Sequence, residues 1–311
     1  MPSTDERTFW LRKIAKLAVD KASGDPAPHK PLLLLVVCEL AELGILQGEI
    51  IQLSGELVFR FSSYWTVVAD RRSQRPEVKM PFYHLKSGGF WMPLDAQDKP
   101  AADKRLVTHV LVDPTFLACL HDTEFRRQAR LILFTTYFRP HEQVALSALL
   151  ELEIPSPNVL QDQLPDLSDD AKQRGREARF RLCVVPGYNY TCALSRYRLI
   201  TLGVGSIVDA AHIHKFSDSR NNDPTNGLAL CKNAHWLFDE GLWSVDDDYR
   251  VIVAHHRYQE AGPPGFLLRE FEGTQLLLPS SEKLLPSKAC LAWHRAEHGF
   301  DSRASAKVRS T

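Results

Sequence analysis

The stretch from Ile207 to Gly241 restricts the fold of this chain more than any other. Ile207 to Ile213 has the apolar make-up of a buried strand, yet it carries Asp209 and His212. A polar loop follows, then Asn226 and the apolar run Gly227 to Cys231, then a helical pattern over 233–240 bearing His235 and Asp239. Two strands and a short helix are predicted. His235 and Asp239 are four residues apart, so a helix projects them from one face. An acid and an imidazole in a buried strand need partners or a use.

The residues of this stretch suit hydrolysis of a phosphodiester, which needs a base for water, a divalent cation to neutralise developing charge, and fixed geometry. His212 is the expected general base, since an imidazole with an ordinary pKa of about 6.5 is substantially neutral near pH 7. His235 and Asp239 are the expected metal ligands on the helix, and Asp209 the ligand on the strand. On an extended strand Asp209 points away from the His212 side, so a twist or bulge has to bring both to one pocket. Asn226 is expected to brace the loop through side-chain hydrogen bonds and so hold the His212 ring.

The segments Asp209-Ala-Ala-His212-Ile, Asn226-Gly-Leu-Ala-Leu-Cys231 and His235-Trp-Leu-Phe-Asp239-Glu-Gly241 resemble the HNH endonuclease family, at intervals of 14 (212 to 226) and 9 (226 to 235). The resemblance covers about residues 183 to 300, with Trp293-His294-Arg295 similar to the family's closing segment. It implies a ββα-metal fold and a divalent cofactor, Mg2+ first, with Mn2+, Ni2+ or Zn2+ as alternatives. Two positions depart from the pattern: Ala211 stands where many members place a metal ligand, and Asp239 where some have a third histidine. Cys192, Cys231 and His214 form an alternative structural zinc set, though without the paired cysteines such sites use. His255, His256 and His294 have no partner spacing that assigns them a role.

A chain of 311 residues that is 44% hydrophobic is long for one ordinary domain. Pro155, Pro157 and Pro165, with Asp166, Asp169 and Asp170, break all apolar periodicity. The expected division is a recognition domain over 1–153, a linker over 154–170, a nuclease domain over 171–300 and a disordered tail over 301–311. The fold class expected is α+β: a mainly helical first domain with a short hairpin, joined to the ββα-metal domain. The absence of a long apolar run or signal-peptide pattern predicts a cytoplasmic protein without a membrane partner. Six scattered cysteines without Cys-x-x-Cys pairs read as free thiols.

Net charge is zero, so contact with nucleic acid has to come from local clusters. The phosphate-contact candidates are Arg71, Arg72, Arg75 and Lys79, and Arg174, Arg176 and Arg179 in a basic stretch that also holds Lys172 and Arg181. Arg126, Arg127 and Arg130 form another cluster; each cluster has a solvated helix face as its plainer explanation.

In the first domain, apolar spacing predicts helices over 6–22, 31–43, 52–69, 113–121, 123–138 and 140–151, and a hairpin with arms Pro81 to Leu85 and Phe90 to Leu94 around Ser87-Gly88-Gly89. Pro31 to Leu43 is apolar on every side and belongs in a core. The segments Ala27-Pro28-His29-Lys30-Pro31 and Met80-Pro81-Phe82-Tyr83-His84 resemble the sulfur-binding domain found beside HNH modules in McrA-like type IV restriction enzymes. What this implies is recognition of phosphorothioate DNA, where sulfur replaces a non-bridging phosphate oxygen. Sulfur is larger, softer and a poorer hydrogen-bond acceptor than oxygen, which favours a shallow apolar pocket with cations nearby. Met80, Pro81 and Tyr83 are the expected wall, with His29 and Lys30 as polar contacts at a helix start. Met80 departs from the aromatic that commonly precedes the proline, while Phe82, Phe90 and Trp91 read as core.

The function expected is a modification-dependent DNA endonuclease acting on double-stranded, phosphorothioate DNA. Cutting both strands would take two centres, with which a homodimer on DNA is compatible. The alternatives are a reader of methylated cytosine or of unmodified sequence on the same nuclease, a non-catalytic DNA-binding protein, and a nuclease directed at RNA.

Overall fold

The structure is a computed structural model that describes residues 2–22, 24–71, 76–152, 165–203 and 205–300. Most of the expected linker, the tail 301–311, and the candidates Arg72 and Arg75 lie outside the described residues. The chain divides into two compact units: Met1–Arg179 with Thr201–Gly205, and Phe180–Ile200 with Ser206–Thr311. Among the described residues no helix is long and apolar enough to cross a membrane.

The first unit is built on α2 (His29–Glu42), whose residues from Pro31 to Cys38 are all buried. Gly44 follows its last turn at φ +69°, a conformation that costs glycine little. Around α2 pack α3 (Gly55–Trp65), α4 (Lys79–His84), α5 (Pro114–His121) and α6 (Thr123–Tyr137), and α1 (Thr4–Ala15) packs on α5 and α6. α7 (Pro140–Leu150) follows, and α8 (Pro165–Gly187) runs across the division between the units. The expected helix over 6–22 starts earlier and stops at Ala15, because Tyr137 intervenes there. Its hydroxyl donates to Ile14 O and accepts from Leu17 N–H, each at 2.8 Å, so the helical ladder ends.

The sheet of this unit has strands β1 (Ile50–Gln52), β2 (Trp91–Leu94) and β3 (His109–Val112) in the antiparallel order β1-β3-β2. The hairpin expected between Pro81–Leu85 and Phe90–Leu94 does not form. Residues 79–84 are helical, and β2 pairs instead with β3, placing Trp91 opposite Val112. Phe82 is fully buried, and its carbonyl accepts from Trp91 Nε1 at 2.6 Å, so tertiary packing overrides local turn signals. Gly89, at φ +79°, closes a 3-10 turn over Leu85–Gly88 rather than a hairpin.

In the second unit β6 (Val208–His212) and β7 (Gly227–Cys231) pair antiparallel, with Asp209 opposite Leu230 and His212 opposite Gly227. The two-residue strands β4 (Ile200–Thr201) and β5 (Gly205–Ser206), each divided between the two units, precede β6, and α9 (Phe216–Ser219) lies in the loop between β6 and β7. Next come α10 (Lys232–Asp239), which packs on β6 and β7, the pair β8 (Trp243–Val245) and β9 (Val251–Val253), and α11 (Lys288–Glu297). Helices with small antiparallel sheets make the chain α+β, and its second half carries the strand, strand and helix order read from the sequence.

Candidate functional site

His212 ends β6, and its ring meets Phe180, Phe216 and Asn222. Phe180, from the end of α8, stacks on it with centroids 4.1 Å apart and planes 5° from parallel. Phe216 of α9 tilts against it at 5.7 Å. The Asn222 side-chain oxygen lies 2.9 Å from Nε2. An amide oxygen only accepts, so this contact puts the ring proton on Nε2 and the basic lone pair on Nδ1. Gly227, opposite His212 in the ladder, leaves room for the aromatic ceiling: a Cβ there would stand 2.5 Å from Val184 Cγ2 and 2.8 Å from the Phe180 ring.

Asn226 is fully buried, and its side chain bonds only to backbone. Its amide nitrogen donates to His214 O and Asn221 O at 3.0 Å each, and its oxygen accepts from His214 N–H at 2.8 Å. The loop carrying Asn222 is therefore clamped at both ends by one side chain. Asn222 and Phe180 had no signal of their own in the sequence. The first lay in a polar loop, the second in a basic helix.

His235 and Asp239 meet on α10, with Nε2 3.4 Å from Oδ2 and both side chains partly exposed. Burial raises the pKa of the Asp239 carboxyl, while the charge of His235 opposes that rise. An imidazole nitrogen beside a carboxylate on a half-open face fits two ligands of a divalent cation, with water or phosphate oxygens completing the shell. Asp209 is placed differently. Its Oδ1 lies 2.8 Å from Arg181 Nε, an ion pair with α8. Among the described residues no group of three His, Cys, Asp or Glu side chains forms a metal-holding cluster. The expected trio of Asp209, His235 and Asp239 is thus not gathered, because a guanidinium engages the strand carboxylate.

Nor is the alternative zinc set gathered. Hydrogen bonding from the Cys231 thiol pulls the Cys192 thiol's pKa down while raising that of Cys231, but His214 stacks on Trp293 with centroids 3.8 Å apart.

His294 belongs to the core of this unit. Its Nε2–H donates to Phe238 O at 3.1 Å, its Nδ1 accepts from Ser244 Oγ at 2.9 Å, and its ring stacks on Phe238. Both nitrogens are satisfied in the neutral form, and burial pushes its pKa down to about 3. An unfolded chain takes up this proton near pH 6.5, so the unfolded state binds more protons between those values. The stability His294 contributes is complete above pH 6.5 and is lost as pH falls toward 3, on the order of 4 kcal/mol over the whole window. Urea melts at pH 7 and pH 4 are expected to differ less for His294→Gln than for the parent; an equal loss in both proteins would count against this account.

In the first unit a cavity of about 220 Å³ is lined by Ala18, Val19, Ala27, Met80, Pro81 and the polar His29, Lys30, His84 and Asp20. Lys30 Nζ donates to Ala18 O at 2.6 Å and Ser87 Oγ at 3.1 Å, and partial burial lowers its pKa. His84 is lowered too, by burial first and then by the charges of Lys30, Lys86 and Lys104. Four of the five expected pocket residues line this cavity. Tyr83 does not: its hydroxyl donates to Ala102 O at 2.8 Å, and Lys86 Nζ sits 3.8 Å from its ring centre. Because α4 is a helix rather than a strand, residues 80, 81 and 84 share a side that excludes 83.

Three of the five phosphate-contact candidates among the described residues are engaged within the fold. The Arg71 side chain is only 2% exposed and forks onto the Glu142 side chain, which is also 2% exposed. Arg174 pairs with Asp70, and Arg179 with Glu151 at 2.7 Å. Arg126 and Arg130 are buried, the latter paired with Glu42. Arg176 is exposed and Lys79 half-buried, with no ion pair for either among the described residues.

Residues 183–246 match the family described as HNH endonuclease. No match is found among curated proteins. Among solved structures, a modification dependent TagI restriction endonuclease is similar over 39% of this chain and 37% of its own, at 19% identity and a TM-score of 0.29. The chain thus spans a little over a third of that enzyme's length. The sulfur binding domain of SprMcrA complexed with phosphorothioated DNA is similar over 43% of this chain and 86% of its own, at 18% identity and a TM-score of 0.35.

Proposed function

From the HNH endonuclease segment at 183–246 we propose that this chain is a metal-dependent endonuclease that cuts modified DNA, residues 1–153 recognising phosphorothioate and residues 171–300 hydrolysing the backbone. The observation that carries the catalytic half is the His212 ring, stacked by Phe180 and oriented by Asn222 with its basic lone pair on Nδ1. The His212 imidazole takes the proton of the attacking water. Asn226 keeps the Asn222 loop in place and acts as a positioning residue. His235 and Asp239 would hold a divalent cation, Mg2+ first among the candidates, which supplies charge neutralisation at the phosphate when bound. Arg181 neutralises Asp209 and keeps it out of the donor set.

The recognition half rests on the cavity beside Lys30. Methyl, proline-ring and thioether surface from Ala18, Ala27, Pro81 and Met80 offers a soft wall to sulfur, while Lys30 stands by for the remaining charge and His84 for a hydrogen bond. Oxygen in the same place would lose hydration without gaining hydrogen bonds. Anisotropy with matched duplexes is expected to show tighter binding of the phosphorothioate form. Met80→Gln should cut that preference roughly tenfold, the scale of one misfit in an apolar pocket. Equal affinity of the parent for both duplexes would remove the sulfur reading.

A further inference from the structure

Beside the cavity at Lys30 runs a second groove, of about 410 Å³, walled by Phe9, Arg12, Lys13 and Lys16 of the first helical segment and by Ser87. The two concavities are continuous in their lining: Ala18 belongs to both. Lys30 marks the rim between them, since its ammonium donates to Ala18 O and to Ser87 Oγ.

The groove's charge is unlike that of the buried arginines in the same unit. Arg12, Lys13 and Lys16 are exposed and form no ion pair among the described residues, whereas Arg60, Arg71 and Arg130 are each locked onto a glutamate. The acids of α1, Asp5 and Glu6, sit in its first turn at the other end, and Glu6 is occupied by Ser3. Asp20 is the one carboxylate lining the neighbouring cavity. Like charges at i and i+4 on a helix cost stability unless an anion compensates them. Phe9, 49% exposed, lies in the same groove with Lys13 Nζ 5.5 Å from its ring centre. A row of cations beside an exposed aromatic ring matches a nucleic-acid strand, which offers charge and apolar faces.

We propose that Arg12, Lys13 and Lys16, with Phe9 at the N-terminal end of the row, form the track for the phosphodiester backbone that leads out of the cavity at Lys30. The proposal rests on the reading of the first unit as a DNA-binding unit, and deepens it by assigning the flanking strand. The track carries affinity and leaves choice of modification to the cavity.

The test uses the full chain with a phosphorothioate duplex and its plain counterpart, titrated across salt from about 50 to 200 mM. Each lost phosphate contact lowers the slope of log K against log salt by about 0.9. Arg12→Gln/Lys13→Gln/Lys16→Gln is expected to lower the slope by roughly 2 to 3 and to weaken both duplexes by the same factor. The charge-keeping Arg12→Lys/Lys13→Arg/Lys16→Arg should retain the parental slope. An unchanged slope in the glutamine variant overturns the track, and so does an equal loss in the charge-keeping variant. A parent that binds both duplexes equally removes the sulfur reading instead, and the slope on plain DNA still decides the track.

Discussion

His212→Ala is expected to lower DNA cleavage by about 10²- to 10⁴-fold, the range a positioned general base contributes, while binding by the first unit stays at the parental level. The size of the effect follows from how completely the ring is arranged for one task. Phe180 fixes its plane, Asn222 fixes its tautomer, and Asn226 fixes the loop that holds Asn222. Phe180→Leu should give a smaller loss in kcat, with affinity for DNA unaltered, because it releases the ring without removing the base. Single-turnover cleavage and anisotropy on the same proteins separate the two steps. Cutting by His212→Ala at the parental rate would falsify the assignment of the base.

The centre around His212 was legible because its parts lie close together in the chain. Strand, loop, strand and helix follow one another from Val208 to Asp239, so spacing alone predicts which residues can share a site. What stayed hidden is what reaches in from elsewhere. Phe180 and Arg181 come from α8, and Arg181 decides the fate of Asp209 by pairing with it. Nothing in the strand pattern around Asp209 announces that partner.

In the first unit the pocket residues were readable and their secondary structure was not. Met80 and Pro81 line the cavity, but on a helix, and this exchanges Tyr83 for His84. Gly88-Gly89 has the composition of a hairpin turn; burial of Phe82 and its bond to Trp91 outweigh it. Basic residues proved least legible of all. A run of arginines looks alike in sequence whether it is solvated, buried or paired, and the partner of Arg71 stands 71 residues away. Arg12, Lys13 and Lys16 drew no notice because they interrupt an amphipathic helix rather than forming a run, yet they are the cations the fold leaves exposed beside the cavity.

Arg71 shows how far a basic residue can be from the role its neighbourhood suggests, and it carries the largest expected effect on stability. Its Nε donates to Glu142 Oε1 at 2.9 Å, a second nitrogen meets the other carboxylate oxygen, and the remaining donors reach the carbonyls of Pro26 and Tyr137. Glu142 also accepts from Arg139 N–H at 2.7 Å, which closes the first turn of α7. Glu142→Ala would strand a buried guanidinium and unmake that cap together. The expected cost is about 3–5 kcal/mol, a large share of the roughly 5–15 kcal/mol that holds a typical domain. Replacing both partners, as Arg71→Met/Glu142→Leu, should cost less than Glu142→Ala alone, since apolar groups of similar volume leave no charge buried without its partner. Urea midpoints of the three proteins measure this order directly. The same Arg71→Met change should leave the salt dependence of DNA binding untouched. A slope lowered by about one would instead place Arg71 on a phosphate and show that the pair opens when DNA binds.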